Sequence, residues 1–204
     1  MNAAELTALL LFCTAMSFSP GPNTTLSTAL AANHGLKRAL RFCFAVPVGW
    51  TLLMLASGLG LGAVVTGAPV LRWAVKLAGA GYMAWLAWKL ARTDQMTQVD
   101  RSLLDVTFLQ GVGMQFLNIK AWMLALTLTA GWVVNAGGQP APNPGERLAI
   151  TCSVMLLFAF SSNFSYALLG SLLRQWLAQG HRLRWFNRVL ALVLLATACW
   201  MIVV

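Results

Sequence analysis

All but one of the charges of this chain lie at the ends of long apolar runs or between them, and that most constrains what it can become. Residues 6–36, 42–71 and 148–173 contain no Asp, Glu, Lys or Arg. A helix crossing the hydrocarbon core of a bilayer takes about 20 apolar residues at ~1.5 Å rise each, so each run is long enough to span. With 59% hydrophobic and only 9% charged residues, and a mean hydropathy of +0.72, the chain is far from the balance of a soluble domain. The expected fold class is an all-α membrane protein with six transmembrane helices, near 5–33, 40–64, 70–91, 107–134, 148–173 and 185–204, in a single domain over 1–204.

The net charge of +9 does not point to nucleic acid. That would require basic residues gathered on a solvated face, and here they lie between apolar runs, where they set topology. The first run lacks a preceding Lys or Arg and is too long for the apolar core of a signal peptide, so it is expected to be retained. With six spans both termini share a side. Lys37, Arg38, Arg41, Lys89, Arg92, Arg101, Arg174, Arg182, Arg184 and Arg188 fall on one side, against Arg72, Lys76 and Arg147 on the other. The richer side marks the cytoplasm. Both termini are therefore expected on the outer, periplasmic side of a cell inner membrane.

Lys120 belongs to neither set. It falls near the centre of the fourth run, VTFLQGVGMQFLNIKAWMLALTLTAGWVV, while Glu5, Asp94, Asp100, Asp105 and Glu146 all lie at span ends or in loops. A lysine at mid-span costs about 2.5–3.5 kcal/mol on insertion scales. Either the span starts near Met114 and the lysine stem reaches the headgroups, or Lys120 forms the positive wall of a polar cavity that receives an anion.

The stretch SFSPGPNTTL, residues 17–26, interrupts the first run. Pro20 and Pro22 lack N–H groups and drive Ser19 and Gly21 from helical dihedrals, so the helix must break near the midplane. The carbonyls of Met16 and Phe18 are expected to lose their donors. A second half-helix starting at Pro22 leaves the N–H groups of Asn23, Thr24 and Thr25 unpaired, with a partial positive charge of about half a unit. Broken backbone cannot face lipid, and Ser17, Ser19, Thr24 and Thr25 surround it. A discontinuous helix of this kind is a ligand-site device of secondary transporters; the alternative is a kink that only shapes packing. Spans 1 and 4 each open a three-span half and carry Asn23 or Asn118 near the middle, which suggests two inverted three-helix repeats and predicts that Asn23 and Lys120 approach each other.

SPGPN at 19–23, NHGLKRALR at 33–41, GAGYMAWLAWK at 79–89, QFLNIKAW at 115–122 and SNFSYALLGSLLR at 162–174 together resemble the LysE/RhtB family of amino-acid exporters, in order and over essentially the whole chain. Many relatives have Asn-Pro-Lys where this chain has Asn118-Ile119-Lys120, so span 4 is expected to stay more regular than span 1. Members that export cysteine- and O-acetylserine-type substrates are the most similar at this position. The resemblance implies efflux of amino acids or close derivatives from the cytoplasm, driven by protons. An α-carboxylate would meet the half-helix start at Ser19, Gly21, Pro22, Asn23 and Thr24 and the ammonium of Lys120. Gln115, Asn118, Asn163 and Asn23 offer carbonyl oxygens to an α-amino group. With no acid deep in the membrane, neutral substrates are favoured over cationic ones.

His34 and His181 sit beside cytoplasmic loops, so by elimination Lys120 is the candidate proton carrier. No cofactor, metal or ATP-binding sequence is expected. Two other classes were weighed: a transmembrane thiol–disulfide carrier using Cys13, Cys43, Cys152 and Cys199, which lacks a C-x-x-C, and a non-transporting structural subunit. Gly58, Gly62, Gly79 and Gly81 allow close helix approach, within the chain or in a homodimer. Trp73, Trp88, Trp132, Trp176 and Trp185 suit the membrane interfaces, and Trp50, Trp85 and Trp122 lie deeper, as route or core. The loops 93–106 and 135–147 are too short to hide a soluble domain.

Overall fold

The two prolines break the first run as their chemistry requires. In the computed structural model, α1 (Ala3–Phe18) stops before Pro20, and α2 (Pro22–His34) starts with Pro22 in its first turn, at a bend of 52°. The remaining elements are α3 (Leu36–Gly58), α4 (Pro69–Ala91), α5 (Phe108–Leu117), α6 (Ile119–Leu128) and a π-helical turn (Thr129–Val134). A small hairpin, β1 (Asn135–Ala136) with β2 (Gln139–Pro140), leads to α7 (Pro144–Leu177) and α8 (Arg182–Val203). The structure describes residues 1–60, 67–93, 106–136 and 138–203. Gly62 and the end of the second expected span, the charged residues Asp94, Asp100, Arg101 and Asp105, and Val204 lie outside the described residues.

The fourth run does not stay regular. α5 and α6 meet at Asn118 with a bend of 70°, although no proline is present. Asn118 takes an extended conformation (φ −93°, ψ 101°) and its side-chain oxygen accepts from the Lys120 N–H at 3.1 Å, capping α6. Trp122 Nε1 in turn donates to the Phe116 carbonyl at 2.8 Å, replacing a backbone donor lost at the break.

Among the described residues three helices, α3, α7 and α8, are individually long and apolar enough to cross a membrane, and each bent pair makes one further candidate, up to five. α4 has 23 residues, a sufficient length, but Lys76, Lys89, its glycines and its tryptophans dilute its apolarity. It lies along α8.

α2 is the most enclosed element. It is wedged against α7, α3 and α8, with 10 of its 13 residues buried. Its last turn leads directly into α3 through Gly35, whose φ of +86° favours glycine. At this end Asn33 and Asn187 donate to each other at 2.8 and 3.0 Å, and Asn187 also donates to the Thr93 carbonyl at 2.8 Å. The opposite end is closed by a clasp. Buried Arg147 at the start of α7 donates to both oxygens of Glu5 at 3.0 and 2.8 Å and to the Trp132 carbonyl at 2.9 Å, while Trp132 Nε1 donates to the Glu5 carbonyl at 3.1 Å. Trp132 thus belongs to a helix junction. Trp73, Trp88, Trp176 and Trp185 are exposed and each lies under a cation, Lys76, Arg92, Arg182 and Arg188 respectively, as suits an interface.

The close approach of α4 to the second break depends on Gly79. A Cβ there would overlap the Leu117 carbonyl oxygen, whereas one on Gly81 would meet nothing within 4 Å. Gly79→Ala is expected to destabilise by about 1–3 kcal/mol through overpacking, and Gly81→Ala to be neutral or to stabilise by up to ~1 kcal/mol. Thermal unfolding of the two variants in detergent, followed by fluorescence-detected gel filtration, checks the pair.

Candidate functional site

The two breaks face each other. Lys120, in the first turn of α6, donates from Nζ to Ser19 Oγ at 2.7 Å, and the same Nζ lies 3.4 Å from where a Cβ of Gly21 would be. The ammonium is therefore turned inward onto the interruption of the first helix.

Around this contact is a cleft walled by the end of α1, the start of α2, Val46 and Trp50 of α3, Ala121 and Leu124 of α6, and Met155, Ala159, Ser162 and Asn163 of α7. It leaves about 60 Å³ open to the centre of a water-sized sphere. A single water needs roughly 10–15 Å³ on that measure, so the space suits a small ligand. Ser19, Gly21, Pro22, Asn23, Thr24, Asn118, Lys120 and Asn163, all expected from the sequence, line it together. A larger crevice of about 710 Å³ between α1, α6 and α8 also reaches Gly21 and Lys120. Its walls, among them Phe12, Met123, Val193 and Trp200, are mostly apolar, so it offers packing and little recognition.

The polar groups do not stand as free as the sequence suggested. Gln115 is fully buried behind the cleft, outside its lining, and pairs reciprocally with Asn23: Asn23 Nδ2 donates to Gln115 Oε1 at 2.8 Å and Gln115 Nε2 donates to Asn23 Oδ1 at 3.2 Å. Asn163 Oδ1 accepts from Ser27 Oγ at 2.9 Å, and Asn118 caps α6. These amides hold the walls in place. The carbonyls released by the first break are filled as well, Met16 by Ser19 Oγ at 2.8 Å and Phe18 by Tyr166 Oη at 3.0 Å. At the start of α2, the Gly21 N–H donates to Thr24 Oγ1 at 3.0 Å, and Asn23 and Thr24, the first residues of the helix with an N–H, line the cleft. An ammonium with three hydrogens beside a helix start makes this an electropositive seat for an anionic group.

Sequence reasoning missed Val46 and Met155, for which no periodicity or motif gave a signal, and left Trp50 undecided among three deep tryptophans. Trp50 is in the wall. Trp122 is buried in the core, and Trp85 is exposed under Lys89 at 4.0 Å. Cys13, Cys43, Cys152 and Cys199 are all free thiols.

The LysE type translocator family profile matches residues 14–203, a range that contains both helix breaks and Lys120. The chain belongs to the LysE-type translocators. LysE-type translocators move solutes across a membrane rather than convert them. Curated relatives include a Cysteine/O-acetylserine efflux protein of Klebsiella pneumoniae subsp. pneumoniae, 30% identical over 192 residues that cover 91% of this chain and 92% of that protein. Proteins of the same name from Salmonella choleraesuis and Escherichia coli O139:H28 are 28% and 29% identical, with 97% of each chain covered. No solved structure is a significant match.

The reciprocal amide pair gives a test of how the translocator holds its wall. Asn23→Ala leaves the buried Gln115 Oε1 without its donor, while Gln115 Nε2 keeps the Gly111 carbonyl at 3.1 Å; the loss is expected to destabilise by about 1–3 kcal/mol. Asn23→Ala with Gln115→Leu is expected to fall short of the sum of the single changes by at least 0.5 kcal/mol; a double-mutant cycle of thermal unfolding measures it.

Proposed function

We propose that this LysE-type translocator exports small neutral amino acids or close derivatives from the cytoplasm, with the substrate's α-carboxylate held between Lys120 and the first turn of α2. The observation that carries the reading is the 2.7 Å contact of the Lys120 ammonium with Ser19 at the interrupted helix, in a cleft where no carboxylate is among the described lining residues. An anionic group entering there finds the ammonium, the N–H groups of Asn23 and Thr24, and the partial positive charge of the helix start. A cationic side chain would find no counter-charge. The names of the curated relatives support the same class, since they are called cysteine/O-acetylserine efflux proteins.

In this reading the chain is one transporter domain of six spans: α1 with α2, α3, α4, α5 with α6, α7 and α8. The bent pairs are the first spans of two inverted three-span halves. Both termini lie on the periplasmic side of the inner membrane, as the distribution of Lys and Arg favours, and the proton gradient drives export with Lys120 as the carrier. Gly58 packs on Leu148 and Gly79 on Leu117 within the same chain, so the close glycine approaches that suggested a homodimer need no second copy. Ser19, Gly21, Pro22, Asn23, Thr24, Asn118 and Asn163 shape the substrate seat, and Gln115 braces it.

The test is uptake of radiolabelled neutral amino acids into inside-out vesicles. A charge-assisted hydrogen bond is worth about 1.5–3 kcal/mol, so Lys120→Ala is expected to weaken apparent affinity by about ten- to a hundredfold. Lys120→Ala transport at the wild-type rate and KM would remove the site assignment while leaving the family membership intact. Transport indifferent to an imposed pH gradient would remove the proton.

A further inference from the structure

We infer that Ser17 selects the substrate's side chain, by donating its hydroxyl hydrogen to an oxygen or sulfur acceptor there. The inference rests on the exporter reading above and adds the substrate class: small amino acids carrying a hydroxyl, thiol or ester within a few bonds of Cα.

Ser17 lies in the last turn of α1 and lines the cleft. Its Oγ is buried and has no hydrogen-bond partner among the described residues. That is unusual within its own helix, where the other hydroxyls bond back one turn: Thr7 to the Ala3 carbonyl at 2.8 Å and Thr14 to the Leu10 carbonyl at 2.7 Å. A buried donor left unmatched is unfavourable and calls for an explanation. The carbonyls freed by the helix break each accept from another hydroxyl, Met16 O from Ser19 and Phe18 O from Tyr166, and not from Ser17. Asn118 and Asn163, in the same lining, hold partners of their own.

Besides the start of α2, the cleft therefore presents two side-chain donors with hydrogens to give, the Lys120 ammonium and the Ser17 hydroxyl, in a space that admits only a small molecule. One amino acid supplies both acceptors if its carboxylate goes to Lys120 and a side-chain heteroatom reaches Ser17. Alanine or 2-aminobutyrate would satisfy the first and leave the second unmatched. A site built around such a bond discriminates against the analogue that lacks it, because the protein group stays buried and unpaired.

The experiment measures kcat/KM for radiolabelled L-serine and L-2-aminobutyrate, which differ by a hydroxyl against a methyl, in proteoliposomes of the wild type, Ser17→Ala and Ser17→Cys. The wild type is expected to prefer serine by about tenfold, the discrimination of one hydrogen bond. Ser17→Ala is expected to bring the ratio to about one, chiefly by raising KM for serine, and Ser17→Cys, a weaker donor, to fall between. An unchanged ratio in Ser17→Ala overturns the inference, as does an equal loss for both substrates, which would assign Ser17 to the shared amino group or to packing. If neither variant reaches the membrane, a wild-type ratio of about one overturns it and a preference for serine supports it. Wild-type protein that transports neither compound nor any other neutral amino acid defeats the exporter reading itself.

Discussion

In hydrocarbon there is no water to pair with a broken backbone, so every interruption of a spanning helix must be repaired by protein groups. This chain interrupts two helices, and the repair of those interruptions organises much of the rest. The carbonyls opened at the first break are closed by Ser19 from the break itself and by Tyr166 from α7. At the second, Asn118 caps the new helix and Trp122 reaches back to Phe116. Each repair needs a donor or an acceptor at a fixed place, and so each fixes the position of a neighbouring side chain or helix. The breaks are stable only in the packed bundle, which is why they sit in its interior with the cleft between them.

Backbone glycines let the helices come near enough for those repairs. Besides Gly79 against Leu117, a Cβ on Gly49 of α3 would overlap the Val112 carbonyl oxygen of α5, and one on Gly170 of α7 the Thr28 carbonyl oxygen of α2. Three helix pairs thus touch backbone to backbone, the close packing that replaces the hydrophobic effect inside a membrane. The approach of α7 to α2 carries Asn163 to Ser27, and the approach of α3 to α5 carries Gln115 beneath Asn23. Packing at the glycines and polar pairing one or two turns away are consequences of the same geometry.

This division explains what the sequence made legible. Pro20 and Pro22 act through covalent geometry on their own neighbours, so the first break could be read residue by residue. Lys120 could be read because an isolated charge in an apolar run has few places to go. The second break was hidden, since Asn118 ends a helix only when Trp122 and the side chain's own cap replace what is lost, and the missing proline suggested regularity. Asn23 and Gln115 could be named as polar groups of the interior, but their pairing joins residues 92 apart, which composition does not encode. For the same reason Trp50 could not be separated from Trp122 and Trp85: all three lie in apolar runs, and only the packing decides which one faces the cleft. The hairpin at Asn135–Pro140 went unpredicted because so short a ladder carries no periodicity.

The electrostatics of the first break bear on why a lysine is tolerated without an acid. A helix that stops and restarts presents two opposite ends at one place, a partially negative C-terminus on α1 and a partially positive N-terminus on α2. Lys120 bonds Ser19, the residue that ends α1, and its Nζ lies 3.4 Å from the Cβ position of Gly21, the cap of α2, so the ammonium sits between the two ends. An amino acid carries the same two charges, fixed one carbon apart. In the proposed function the lysine and the start of α2 would take the carboxylate of such a zwitterion, and the carbonyl end of α1 would face its ammonium. A simple anion would use only half of this arrangement and a simple cation would meet Lys120, so the proposed site would favour zwitterions over either.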